Sequence, residues 1–375
     1  MEISLYIHIP FCKRKCNYCD FYSIVASENL ISRYIDSLIQ EMKIYSRKYD
    51  FKINTIYIGG GTPSILNPEY IRIIVKNIRK YFKSIPEPEF TIEANPESVN
   101  KEFLETLKKC GVNRLSMGIQ SFNDKLLKIA GRLASREIID EKINLVKKMN
   151  FINWSADLIY GLPYQHLKDF EYDLDTIINY NPSHISLYAL TIEKGTNFFS
   201  LYREKQEIFP SDDEVSEMYF LANEFLEKNK YYRYEISNFA PKGYECKHNL
   251  AYWNLRDYLG LGASSVSTIN STRWKNVSDV NKYIKYLKEN KLPLSNMTKL
   301  TKKEKIQEFI MLQLRLRKGL DLKILKQQYE IDLLKQKFSE IEEFIKAGLI
   351  KLQKNRIFLT IKGIIVSNSV ISALI

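Results

Sequence analysis

No stretch of this 375-residue chain reaches the roughly 18 to 20 uncharged apolar residues of a membrane span, so no segment is expected to cross a bilayer. A secretory leader is not expected either. Met1 runs straight into the strand-like ISLYIHIP, without a basic start, an apolar run and a small-residue cleavage site. Both absences point to the cytoplasm, with membrane contact only through a partner. Cysteine is scarce as well: five thiols in so long a chain make no disulfide framework, and in a reducing compartment they suggest metal binding or catalysis. Histidine is rarer still, at four, so any imidazole at a site comes from a very short roster.

What is abundant says less about function. Lys and Arg outnumber Asp and Glu by 56 to 44, a net charge of +12. The lysines are scattered along the chain rather than gathered on one stripe, which reads as a solvated basic surface and not as a nucleic-acid interface. Hydrophobic content of 45% is that of an ordinary folded protein, so a sizeable core is expected.

The organisation is repetitive. Short β-rich runs, SLYIHIP, NTIYIGGGTPS, EFTIEANPES, RLSMGIQSF, WSADLIYGLP and HISLYALTIE, alternate with amphipathic helical stretches such as LISRYIDSLIQEMKIYSRKY and REIIDEKINLVKKM. Six strand and helix units in succession predict an α/β fold with a parallel sheet, and unusual residues clustered at strand ends favour a partial (β/α)6 barrel of TIM type over an open doubly wound sheet. That unit is expected over residues 1–235, followed by an extension over 236–297. From 298 to 375 the pattern becomes two or three helices and a hairpin turning at Lys354 and Asn355, a small helical, winged-helix-like domain read as a lid rather than a DNA reader. The apolar tail GIIVSNSVISALI is expected to pack as a terminal helix.

Within FCKRKCNYCDF, Cys12, Cys16 and Cys19 fall in a C-x3-C-x2-C spacing. Three thiolates hold three irons of a [4Fe–4S] cube and leave the fourth open to a small molecule. Structural zinc is the alternative, but it takes four protein ligands in paired spacings, and a second pair is missing; Cys246 and His248 could complete such a site only from far along the chain. The glycine run Gly59, Gly60, Gly61, Thr62, Pro63 offers backbone that a ligand can approach closely. Glu93 at a strand end suits ribose hydroxyls, and Gln120, Arg132 and Asp157 stand at comparable places in successive units.

These motifs are similar to those of the radical S-adenosylmethionine (SAM) superfamily, whose signature is C-x3-C-x2-C with an aromatic residue, here Tyr18, before the last cysteine. The chain resembles its coproporphyrinogen dehydrogenase-like branch, carried by YIHIPFCKRKCNYCDF, GGGTPS, SMGIQSF, DLIYGLP, SLYALTIEKGT and HNLAYW. That resemblance implies SAM contacts at Tyr6, Tyr18, Gly60, Gly61, Thr62, Glu93, Gln120, Arg132, Asp157, Ala189 and Val266. It also separates two outcomes. The coproporphyrinogen III oxidase pattern has a fourth cysteine where this chain has Phe21, and an N-terminal arm where only eleven residues precede Cys12. The heme chaperone family HemW has the CDF form and an H-N-x-x-Y-W motif, here His248 to Trp253, associated with heme binding. The resemblance is closest to the chaperones and implies heme binding, acceptor hemoproteins, an electron donor for the cluster and either a monomer or a homodimer. His248 is the candidate heme contact, with Tyr252 and Trp253 stacking on the porphyrin and Lys247 near its propionates. The chain departs from the family at Ala134 and Val266, where chaperones usually carry histidines. Oxidative decarboxylation of coproporphyrinogen III is the rival function, and radical SAM modification of RNA a more remote one.

Overall fold

The computed structural model describes residues 1–375. Six parallel strands lie side by side in chain order: β1 (Glu2–Ile9), β2 (Lys52–Gly60), β3 (Lys83–Ala94), β4 (Arg114–Gln120), β5 (Trp154–Tyr160) and β6 (His184–Ala189). The crossovers carry α1 (Glu28–Lys48), α2 (Pro68–Tyr81), α3 (Lys101–Lys109), α4 (Asp124–Ile129), α5 (Arg136–Lys148) and α6 (Leu167–Tyr180). This is the expected partial barrel.

Local chemistry explains the elements. In α1, the Ser27 side chain accepts from the Leu30 amide, Glu28 opens the first turn and Arg47 and Lys48 close the last, matching the helix dipole. Ile31, Tyr34, Ile35, Leu38, Met42 and Tyr45 recur at three- and four-residue spacing and are buried against the sheet. Glu41 interrupts that stripe. Its carboxylate accepts from Tyr283 Oη at 2.6 Å, the Gly262 amide at 2.8 Å and Asn276 Nδ2 at 2.6 Å, and burial pushes its pKa up to about 7.

The sheet does not stop at six strands. After α7 (Asn197–Glu204) and α8 (Asp212–Lys228), β7 (Tyr232–Arg233) and β8 (Asn238–Ala240) extend it antiparallel beyond β6. On the other flank, β9 (Tyr258–Leu261) pairs parallel with β1, and β10 (Val266–Ile269), β11 (Thr272–Asn276) and β12 (Leu294–Lys299) follow antiparallel, giving twelve strands. Residues 236–297 therefore continue the barrel sheet on both flanks. Between them, α9 (Lys247–Trp253) leaves the sheet and packs against β2.

The C-terminal residues form helices from Lys302 onward and a three-stranded sheet of Leu320–Asp321, Ile350–Gln353 and Arg356–Leu359. Lys354 and Asn355 both have positive φ, 48° and 63°, as the two-residue hairpin turn at that point requires. The tail folds into helices over Ile361–Ile365 and Ser367–Leu374. Phe309, Leu314, Ile357 and Leu374 join one apolar core with Leu5, Ile58 and Leu115 of the barrel, so this module is packed on rather than tethered. No helix is long and apolar enough to cross a membrane.

Candidate functional site

The cysteine loop leaves the C-terminal end of β1 and is pinned at both ends. The Cys12 amide donates to the Ile24 carbonyl at 3.0 Å, and the Ile24 amide to the Pro10 carbonyl at 2.8 Å. Its middle hangs on Asn17, which sequence reasoning missed. The Asn17 amide and Nδ2 donate to the carbonyls of Ala130 and Ile129 at the end of α4, and its own carbonyl accepts from the Phe198 amide at 2.9 Å. The tip is thus bolted to two neighbouring βα loops. Cys12, Cys16 and Cys19 are all partly exposed, whereas Cys110 and Cys246 are buried elsewhere.

Arg132 faces this loop. Nη1 lies 3.4 Å from Cys16 Sγ, Nη2 donates to Asn95 Oδ1 at 2.8 Å and to the Gly118 carbonyl at 2.6 Å, and Nε is buried with no partner. Only 4% of the side chain is exposed. A buried cation against a thiol, with bonding capacity left over, fits an anionic iron–sulfur cluster carried by three cysteines. The sequence reading placed Arg132 at a strand end beside SAM; the structure places it in the loop between α4 and α5, on the cysteines. Tyr18 packs its ring toward Phe198, at 6.4 Å between centroids.

The glycine run has a different cause from the one expected. A Cβ on Gly59 would meet the Glu93 carboxylate at 2.8 Å, one on Gly60 the His8 ring at 2.5 Å, and one on Gly61 the Phe11 carbonyl oxygen at 2.6 Å. The missing side chains make room for the protein's own groups. The amides are also spent: Gly60 donates to Glu93 Oε2 at 3.0 Å, Gly61 to the Ile9 carbonyl and Thr62 to the Phe11 carbonyl, both at 2.8 Å. A ligand at this run therefore meets acceptors and Cα atoms rather than N–H groups. The Thr62 hydroxyl accepts from Asn95 Nδ2 at 3.1 Å and lies 3.4 Å from Cys12 Sγ.

Glu93 accepts from Tyr57 Oη at 2.8 Å as well as from Gly60, and burial pushes its pKa up to about 7. Each oxygen keeps lone pairs for further donors. Gln120 ends β4 with φ of 74°, after a register shift between Gly118 and Gln120 that turns its backbone. Asp157 departs from the expected strand-end position. It lies midway along β5, where Ser116 donates to Oδ2 at 2.9 Å and Ser155 to Oδ1 at 3.3 Å, and burial raises its pKa. Ala189 ends β6 at an exposed position. Tyr6 and Val266 line a cavity of about 610 Å³ beside the C-terminal helices, and the Tyr6 hydroxyl lies 3.0 Å from His8 Nδ1, whose ring packs against Gly60.

The other end of the barrel holds the HNLAYW motif. Glu89, near the start of the parallel pairing of β3, caps α9 by accepting from the amides of Lys247 at 3.0 Å and His248 at 2.9 Å. His248 is 0% exposed. Thr55 Oγ1 donates to Ser4 and lies 2.8 Å from His248 Nδ1, while His248 Nε2 meets Tyr252 Oη at 3.0 Å. Burial drives the imidazole down to about 3, so it is neutral. As placed, both nitrogens have hydroxyl partners, and the ring fills the lower barrel and holds Tyr252. Cys246 is equally sunk, its thiol pushed up to about 12 by burial.

Comparisons agree with this geometry. Residues 6–177 match the Radical SAM superfamily, and residues 300–366 the HemN C-terminal domain. The chain is 35% identical to the heme chaperone HemW of Bacillus subtilis (strain 168) over 99% of its own length and 98% of that relative's. It is 39% identical to the heme chaperone HemW of Buchnera aphidicola subsp. Schizaphis graminum over 88% and 85% of the two chains. The solved coproporphyrinogen III oxidase (HemN) from Escherichia coli, a radical SAM enzyme, superposes with a TM-score of 0.86 at 25% identity, over 99% of this chain and 89% of that one. A cysteine loop at the mouth of a partial barrel, and full-length identity above 30% to several chaperones, place this chain in the heme chaperone HemW family of the radical SAM superfamily.

Proposed function

We propose that this chain binds heme and passes it to acceptor hemoproteins in the cytoplasm. The observation that carries the reading is its end-to-end similarity to the HemW chaperones. A second feature favours it over the oxidase: Phe21, 64% exposed on the cysteine loop, stands where the oxidase pattern has a fourth cysteine.

On this reading Cys12, Cys16 and Cys19 ligate three irons of a [4Fe–4S] cluster, and Arg132 balances its charge from the side of Cys16. Tyr6, Tyr18, Gly60, Gly61, Thr62, Glu93, Gln120, Asp157, Ala189 and Val266 surround SAM. Acceptor atoms at the glycine run suit the ammonium of SAM, and the spare lone pairs of Glu93 suit its ribose hydroxyls. Cluster and SAM together supply one-electron chemistry; the chain orients SAM and excludes water. An external electron donor serves the cluster, and the chain works as a monomer or a homodimer.

The test uses anaerobically reconstituted full-length protein, titrated with ferric heme and then mixed with apomyoglobin, with coproporphyrinogen III turnover assayed in the same preparation. Stoichiometric heme uptake, handover faster than unaided dissociation and no turnover are expected. Turnover without heme uptake makes the chain an oxidase.

A further inference from the structure

The turn from β9 to β10, residues 262–266, supplies Ser264, Ser265 and Val266 to the wall of the 610 Å³ cavity. A frame of buried polar side chains holds that turn in place. From α1, Glu41 Oε2 accepts from the Gly262 amide at 2.8 Å, and Tyr34 Oη accepts from the Ala263 amide at 3.0 Å while donating to the His8 carbonyl at 2.7 Å. Asn276 of β11 closes the frame. Its Nδ2 donates to Glu41 Oε1 at 2.6 Å, to the Gly262 carbonyl at 3.0 Å and to Ser265 Oγ at 3.2 Å. Gly262 has φ of 99°, and a Cβ there would collide with Tyr34 Oη, so only glycine lets the frame close. Neither Glu41 nor Tyr34 nor Asn276 lines the cavity, so each acts on it through the turn.

A buried carboxylate is a costly way to hold a turn, and no cation faces this one. The titratable groups around Glu41 are Tyr34 and Tyr45 of α1 and Tyr283 of α10 (Val280–Lys288), each kept neutral by burial. Three donors, the Gly262 amide, Tyr283 Oη and Asn276 Nδ2, point at its two oxygens, an arrangement that suits the ionised form. Protonated, Glu41 carries a donor that needs an acceptor. Tyr283 could accept only by turning its own O–H away from its one partner. Asn276 has an acceptor ready, because its Oδ1 is buried and unpartnered. A half-turn of that amide presents Oδ1 to Glu41 and takes Nδ2 away from Gly262 and Ser265. The proton on Glu41 and the bonds from Asn276 to the turn therefore exclude each other.

We propose that Glu41 is a positioning residue for SAM: ionised, it holds the 262–266 turn and with it Val266, and protonated, it releases the turn through the Asn276 amide. The inference rests on the reading that places SAM at Val266 and adds to it a control by pH. Burial brings the titration close to neutrality, at about 7. SAM therefore binds more tightly as pH rises through that value. The frame reaches the cluster side as well, since the His8 carbonyl that Tyr34 holds lies on β1 just before the cysteine loop.

Amide hydrogen exchange of the 262–266 turn, corrected for intrinsic rates, is followed by mass spectrometry in steps from about pH 6 to 8 in the wild type, Glu41→Gln and Tyr283→Phe. SAM is titrated into the same anaerobically reconstituted proteins, and thermal melts establish folding. In the wild type the turn is expected to exchange about fivefold faster at the acid end, and SAM to bind about fivefold more weakly there. Glu41→Gln carries the extra donor permanently and is expected to show the acid behaviour throughout. Tyr283→Phe removes a donor to the carboxylate and is expected to move the midpoint upward, a shift that lost packing alone does not produce. A wild-type turn that exchanges alike across the range overturns the inference, whatever SAM does, and so does a folded Glu41→Gln that keeps the wild-type pH dependence. A turn that responds while SAM affinity does not overturns the placement of SAM at Val266 instead.

Discussion

The two ends of the barrel are built from the same residue types and use them in opposite ways. At the upper end, three half-exposed cysteines share a loop, and Arg132, whose Nε has no partner, lies against Cys16. At the lower end, the Cys246 thiol is 1% exposed and points to Glu89 at 3.5 Å, and both nitrogens of His248 are engaged. A cysteine, a histidine and an acid near each other do not make a ligand site. Access and unspent bonding capacity do, and only the upper end has them.

The lower end should therefore fail as structure when it is cut. His248→Ala leaves a cavity and strands Thr55 and Tyr252, at a cost of about 3 to 4 kcal/mol in denaturant unfolding. Full stability in that variant would mean that α9 is not a plug. Buried carboxylates give a second handle through pH. Glu41, with an ordinary value of 4.5 and about 7 in the folded chain, binds its proton more tightly when folded. Its contribution is fully present below pH 4.5 and is lost as pH rises through 7, about 3 kcal/mol over that window. Glu41→Gln should flatten this slope in melts across pH 4.5 to 8; an unchanged slope would place the titration elsewhere. Thr55→Val keeps the volume and leaves His248 Nδ1 unpaired, and should cost about 1 to 2 kcal/mol with the cluster content unchanged. The smallest effect belongs to the surface: Lys228→Ala breaks an exposed pair with Glu224 and should leave the melting temperature unchanged within error.

Much of this contrast was hidden in the chain. The six alternating units were legible because strand and helix periods are local, and runs such as NTIYIGG and LISRYIDSL carry them unaided. The cysteine loop was legible because its three ligands sit within eight residues. The destination of HNLAYW was not, because which end of a barrel a segment enters depends on partners far away in sequence, here Thr55, Glu89 and Ser4. The glycine run signals close approach in the sequence, but that His8, Phe11 and Glu93 are the protein groups packed against it depends on segments far away in the chain. Asn17 escaped notice because its four polar contacts go to Ile129, Ala130, Asn197 and Phe198, none of them near it in the chain. Asp157 and Arg132 share a mouth with the other candidates, yet a position counted along a motif did not reveal that one lies inside the barrel and the other on the cysteine loop.

The most direct test of the division between the ends is iron and labile sulfide content, with electron paramagnetic resonance of the reduced cluster, in anaerobically reconstituted Cys12→Ala and Cys246→Ala beside the wild type. Cys12→Ala is expected to lose the [4Fe–4S] signal while Cys246→Ala keeps it in full. A full cluster in Cys12→Ala, or its loss in a folded Cys246→Ala, would contradict the assignment of chemistry to the upper end and structure to the lower.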